Sequence, residues 1–227
     1  MIAITFALPA ESSGIVGSLR DRKEENGIVY GKLAGSDVAI FHTGAGRTAC
    51  ERTIETLLRA VKPEIVISSG FAGSLTEQLN VGDLIIAENF SNPSITPRSM
   101  QGIRTTKLVT VDSIADSAAE RHELAQRHGA DALDMETEVI ARACLTHGVP
   151  MLSLRVISDS PAAPFPAPPH ILFDVARQKT NFGKLIGYVM MHPFAIGRLI
   201  RFARQIGCAR RNLTDALVRA IPPTTLH

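Results

Sequence analysis

Three carboxylates follow short apolar runs in this 227-residue chain: Glu11 after residues 2–8, Glu136 after 130–135 and Asp159 after 151–158. Taken singly, each has an ordinary explanation. Asp159 suits an N-cap or turn before Pro161, and Glu11 and Glu136 suit the first turn of a helix, where the backbone dipole favours acids. Together they exceed what capping needs. Glu136 and Asp159 are 23 residues apart, the span of one helix and one strand, which returns the chain to a neighbouring strand end. Carboxyl groups gathered on one rim are the side chains of proton transfer. Two glycine segments occupy equivalent places. Gly44-Ala45-Gly46-Arg47-Thr48-Ala49 follows a strand and opens a helix, matching the GxGxxA dinucleotide pattern. That pattern needs an acid at the end of the next strand, which instead ends Ser68-Ser69-Gly70-Phe71-Ala72-Gly73. The glycine turn therefore fits a sugar or an anion better than nicotinamide. In the second segment, two glycines and an alanine either let a planar ring or ribose lie against the backbone or simply pack a loop.

Other chemistries find little support. There is no GxSxG, GxxxxGK[ST] or HExxH motif, and the seven histidines (42, 122, 128, 147, 170, 192, 227) lack metal-ligand spacing. Neither a metal nor a cofactor is expected. Cys50, Cys144 and Cys208 are odd in number and far apart, which excludes a disulfide framework and suits a reducing cytoplasm.

The elements that must position these residues are strands and helices in alternation. Residues 2–8, 37–44, 64–70, 83–90, 107–111, 130–135 and 151–158 read as strands, several of them apolar at consecutive positions, as when helices cover both faces of a sheet. Helical spacing runs through 11–20, 47–62, 113–128 and 135–148, the last closing on Gly148 before Pro150. The expected fold is a single α/β domain over 1–221, a three-layer α/β/α sandwich on a mixed, mostly parallel sheet. Residues 1–160 form its core and carry the active site. Residues 161–169 hold five prolines and must run as an extended loop. Helices are expected at about 171–192, 194–207 and 209–220.

A hydrophobic content of 45% with 20% charged residues is that of a globular chain, and excludes collagen-like, coiled-coil and disordered classes. The net charge of +2 is too small to demand a nucleic acid. From His170 onward, however, nine basic residues face two acids, a net of +7 against −5 for residues 1–169. The apolar start of the chain, about seven residues without a basic flank, reads as a buried strand rather than a signal peptide, and no run approaches the roughly 20 apolar residues of a membrane span.

In series, Ala7-Leu8-Pro9-Ala10-Glu11, Thr43-Gly44-Ala45-Gly46, Ser69-Gly70-Phe71-Ala72-Gly73, Val81-Gly82-Asp83, Asp134-Met135-Glu136 and Arg155-Val156-Ile157-Ser158-Asp159 resemble the nucleoside phosphorylase/nucleosidase superfamily across residues 1–160. The likeness is strongest to its methylthioadenosine/S-adenosylhomocysteine nucleosidase branch, because Glu11 stands where those enzymes hold the attacking water. The resemblance implies that Asp159 protonates N7 of a purine leaving group, that Met135 packs on the ribose and that Glu136 accepts hydrogen bonds from its 2′- and 3′-hydroxyls. It further implies that Ser158, Gly73 and Phe71 line the base site. Ile114 stands where the family stacks a phenylalanine on the base, and Ala45 replaces a larger apolar residue near the 5′ group. Such chemistry needs Asp159 protonated, a state that an apolar cleft and neighbouring carboxylates would favour, and Glu11 ionised.

Residues 91–106 are shorter than in that branch, and the proline-rich loop and basic C-terminal segment lack clear counterparts there. In these respects the chain resembles the hopanoid-associated nucleosidases, whose implied substrate is adenosylhopane, an adenosine with a polycyclic lipid on its 5′ carbon. Futalosine hydrolysis and phosphate-dependent cleavage are the alternative activities, and a nucleoside- or lipid-binding protein is the non-enzymatic one. The expected setting is a cytoplasmic homodimer acting on a small nucleoside. Between residues 185 and 206, apolar side chains alternate with Arg198, Arg201 and Arg204, so this segment either packs on the sheet or touches the inner face of a membrane peripherally.

Overall fold

The computed structural model describes residues 1–115, 117–164 and 195–221. The chain begins with β1 (Ile2–Phe6), α1 (Pro9–Gly17), β2 (Arg20–Glu25), β3 (Ile28–Leu33) and β4 (Ser36–His42). There follow α2 (Arg47–Val61), β5 (Ile65–Ser74), β6 (Leu84–Ala87), two short 3-10 turns (Pro93–Ile95 and Arg98–Met100), β7 (Arg104–Thr106) and β8 (Leu108–Thr110). The last elements are α3 (Ala118–His128), β9 (Ala132–Asp134), α4 (Thr137–Thr146), β10 (Met151–Asp159) and α5 (Ala195–Ala220).

The sheet runs β2-β3-β4-β1-β5-β10-β6-β7, with β9 joined to β5 and β8 to β9. Its centre, β4-β1-β5-β10, is parallel, and antiparallel strands flank it. This is the mixed, mostly parallel three-layer architecture expected. The consecutive apolar residues of β1 show why: Ile2, Ile4 and Phe6 pack beneath α1 and α5 with Ile15, Leu213 and Leu217, while Ala3 faces α2 and α4 with Ile54, Leu58, Val139 and Ile140. With both faces covered, no polar alternation survives. Parallel pairing also brings the carboxyl ends of β1, β5 and β10 to one edge, where α/β sheets bind ligands.

Several boundaries differ from the sequence expectation. The helix expected over 11–20 ends at Gly17, and Arg20 with residues 21–33, to which no element was assigned, forms the β2-β3 hairpin; β2 is fully exposed, so charge covers it instead of alternating with apolar residues. Strand β5 runs on to Ser74, because its glycine segment continues the ladder to β10 and then to β9. Helix α3 starts at Ala118 rather than 113, where the Ser117 side chain accepts the Glu120 N–H. The two helices expected at 194–207 and 209–220 are one, α5, whose second half buries Ala209, Leu213, Ala216 and Leu217. The proline-rich loop beyond Pro164 and the helix expected at 171–192 lie outside the described residues.

Candidate active site

Glu11 sits in the first turn of α1, but its carboxylate reaches beyond the helix. Oε2 accepts the Leu8 N–H at 2.8 Å, as a capping residue does, and Oε1 accepts the Phe71 N–H of β5 at 2.9 Å. The capping contact expected of this residue is thus present, and its second oxygen is committed to β5. Gly70 makes the crossing feasible: its φ is +149°, and a Cβ there would lie 2.9 Å from Glu11 Oε1. Burial pushes the Glu11 carboxyl up from its ordinary value, while the Phe71 and Leu8 N–H groups and the Arg155 guanidinium pull against that rise.

Arg155 is a charge in the middle of β10, a strand buried along its whole length, and its partners explain how it is tolerated. Its guanidinium donates to Asp134 Oδ2 from Nε at 3.2 Å and from Nη2 at 3.1 Å, and Nη2 also lies 2.8 Å from Ser68 Oγ and 2.6 Å from Thr137 Oγ1. Asp134 in turn accepts from the Thr137 N–H and hydroxyl, and from Thr110 Oγ1 at 2.8 Å. A buried ion pair needs this many hydrogen bonds to offset its desolvation. The clamp pins the start of α4 and thereby places Glu136. Glu136 Oε1 accepts the Gly46 N–H at 2.5 Å, where Gly46, at φ +87°, opens α2. Burial, followed by the nearby Asp134 charge, pushes the Glu136 carboxyl up to about 8.

Asp159 closes β10 opposite Gly73, at a register shift that follows Ile157. Ser158 Oγ donates to Asp159 Oδ1 at 2.6 Å, and a Cβ on Gly73 would lie 3.1 Å from Oδ2. The expectation that apolar surroundings and carboxylates flank Asp159 requires correction. Its Oδ2 is held by Arg121 of α3, and both side chains are buried.

A cleft of about 920 Å³ opens beside this constellation, lined by Ala7, Leu8, His42, Gly44, Ala45, Gly46 and Met135, and also by Arg47 and Asp112. That volume matches a small-molecule site. Arg47 is committed to Asp112 at 2.7 Å and Glu138 at 2.9 Å. His42 Nε2 is 2.8 Å from Ser12 Oγ, and burial holds its ring below the usual histidine range.

The structure thus joins Glu11, Glu136, the Phe71 N–H and the Gly46 N–H around the Arg155–Asp134 clamp, and puts Ser158 and Gly73 against Asp159. Met135 and Ala45 line the cleft. Ile114 is half-buried in the connection between β8 and α3. Sequence reasoning assigned no role to Arg155 or Arg121. A lone arginine among the apolar residues of 151–158 was a usable signal, since a charge in a doubly covered strand requires a partner. Arg121 gave none, sitting in a helix full of charges.

The fold recurs in solved nucleosidases. A Streptococcus pneumoniae 5′-methylthioadenosine/S-adenosylhomocysteine nucleosidase with a transition-state inhibitor superimposes at a TM-score of 0.71 and 19% identity, covering 96% of this chain and 97% of that one. Helicobacter pylori futalosine hydrolase does so at 0.67 and 18%, covering 96% of each chain. The model of the phosphorylase superfamily matches residues 2–106 and 101–190. The chain belongs to the phosphorylase superfamily. Among characterised members, the 5′-methylthioadenosine/S-adenosylhomocysteine nucleosidase of Staphylococcus epidermidis is 24% identical over 196 residues, covering 70% of this chain and 86% of that protein. The Glaesserella parasuis enzyme of the same name is 28% identical over 165 residues, covering 58% and 72%. As a member of this superfamily, the chain is an enzyme of N-glycosidic bond cleavage.

Proposed function

We propose that this enzyme is a purine nucleosidase that hydrolyses a 5′-substituted adenosine. The observation that carries this reading is Glu11: a buried carboxylate aimed by two backbone N–H groups, next to Arg155, is built to orient and deprotonate a water. Water attacks C1′ and gives its proton to Glu11, the C1′–N9 electron pair passes to the purine, and Asp159, which takes up a proton from solvent before the bond breaks, passes that proton to N7. Glu136, bonded to the Gly46 N–H of the cleft wall, accepts hydrogen bonds from the ribose hydroxyls, and Met135 packs beneath the sugar. The transition state is oxocarbenium-like, so these groups act where charge develops. Phosphorolysis is the weaker reading, because Arg47, the cation beside the glycine turn, is already paired with two acids.

For the 5′ substituent, the reading is a polycyclic lipid, with adenosylhopane cleaved to adenine and ribosylhopane in hopanoid biosynthesis. Ala45 leaves room on the cleft wall. The first half of α5 exposes Ile196 and Ile200 beside Arg198, Arg201 and Arg204, a pattern that suits an anionic bilayer surface. In this picture a homodimer works at the cytoplasmic face of the inner membrane. No helix among the described residues is long and apolar enough to cross a membrane. Methylthioadenosine and S-adenosylhomocysteine are the alternative substrates, favoured by the activities of the relatives. The test is a panel of 5′-substituted adenosines and inosines, with and without phosphate, and identification of base and sugar. A preference for lipid-linked adenosine supports the proposal. Much faster cleavage of methylthioadenosine overturns the lipid assignment, and strict dependence on phosphate overturns the hydrolysis.

A further inference from the structure

Arg121 is expensive to bury, yet its side chain is only 3% exposed, as is that of Asp159. Its two terminal nitrogens divide their work: Nη1 donates to the Ser74 carbonyl of β5 at 2.8 Å, and Nη2 donates to Asp159 Oδ2. Gly73, one residue before that carbonyl, lacks the Cβ that would stand 3.1 Å from Asp159 Oδ2 and 3.4 Å from Arg121 Nη1. The other site guanidinium, Arg155, is occupied by Asp134, Ser68 and Thr137. One carboxylate oxygen of Asp159 is therefore fixed from β5 through Arg121, and the other is held by Ser158.

Building on the proposed hydrolysis, we propose that Arg121 is a positioning residue for the leaving group: it aims Asp159 at the base and stabilises the carboxylate left when the proton has passed to the purine. In that step the Asp159 O–H bond breaks, the N7–H bond forms, and the C1′–N9 bond breaks with its electron pair entering the purine ring. Negative charge then appears on Asp159 while Arg121 already donates to it. A fixed donor at a site of developing charge lowers the barrier without reorganisation.

The test uses Arg121→Met, Asp159→Asn and their double variant on two substrates: the adenosine that wild type cleaves best, and a p-nitrophenyl riboside with the same 5′ group, whose phenolate departs without a proton. Arg121→Met is expected to lower kcat on the adenosine roughly ten- to a hundredfold with little change in KM, and to leave the aryl riboside within about threefold. In the Asp159→Asn background it adds no further loss, and Arg121→Lys recovers part of the rate. Equal losses on both substrates, or losses that multiply in the double variant, make Arg121 a structural residue and overturn the inference. Where circular dichroism shows Arg121→Met unfolded, Arg121→Lys undergoes the same comparison. A wild type that cleaves no nucleoside refutes the proposed function; a wild type that does, with Arg121→Met unimpaired, refutes only this role.

Discussion

Replacing Gly70 by alanine should damage catalysis through a single atom. The added methyl would sit 2.9 Å from Glu11 Oε1 and 3.4 Å from its Cδ, closer than a methyl and an oxygen tolerate. A flexible side chain would swing aside, but both oxygens of Glu11 are anchored, one by Phe71 N–H and one by Leu8 N–H. Glu11 leaves Phe71 or β5 shifts, and in either case an alanine is strained at a φ of +149°. The lost hydrogen bond to a charged group costs about 1.5–3 kcal/mol. The backbone strain adds about 1–3 kcal/mol. With roughly 2–4 °C lost per kcal/mol in a protein of this size, the melting temperature should fall by roughly 5–20 °C. Displacing a catalytic group by even a fraction of an ångström should lower kcat roughly a hundredfold. Gly17→Ala is the control, because it lies in the same helix α1 and nothing is within 4 Å of its built Cβ; activity should be retained and stability unchanged or slightly raised. Steady-state hydrolysis and thermal melts measure both. A Gly70→Ala enzyme with wild-type kcat would remove Glu11 from the water-activating role.

Asp159→Asn should lower kcat by roughly 10²–10⁴-fold and alter KM much less, since the proton moves only in the transition state; near-normal kcat by steady-state assay would exclude it as the acid. Glu136, held at about 8 by burial and Asp134, keeps a proton in the folded protein that the unfolded chain loses above its ordinary value near 4.5. Its contribution to stability is therefore full below about 4.5 and declines as pH rises to about 8. Glu136→Gln should flatten that decline in melts across this range, and an unchanged slope would contradict the assignment. Binding to anionic liposomes should weaken with salt and on replacing Arg198, Arg201 and Arg204 by Gln; co-sedimentation that ignores both changes rules out a membrane role for α5.

The layered core was legible because a doubly covered strand must be apolar on both faces, as β1 is at Ile2, Ala3 and Ile4. The rim positions of Glu11, Glu136 and Asp159 followed from counting strand ends. The β2-β3 hairpin was not anticipated, although Asn26-Gly27 carries a turn signal, and its φ values of +51° and +75° are those of a type I′ hairpin. The highly charged β2 segment hid it. Continuity of α5 across Cys208 was equally hidden, because its first half is largely exposed and its second half buried, which breaks one helical pattern into two. The partners of Asp159 depend on a contact between residues 38 positions apart, which no local pattern encodes.

Hydrolysis is tested most directly by the product formed from a 5′-substituted adenosine in phosphate-free buffer and again with phosphate added. Equal rates under both conditions, with free adenine and the unphosphorylated sugar as products, are expected from a water held by Glu11. Turnover that appears only with phosphate and yields a sugar 1-phosphate would contradict it.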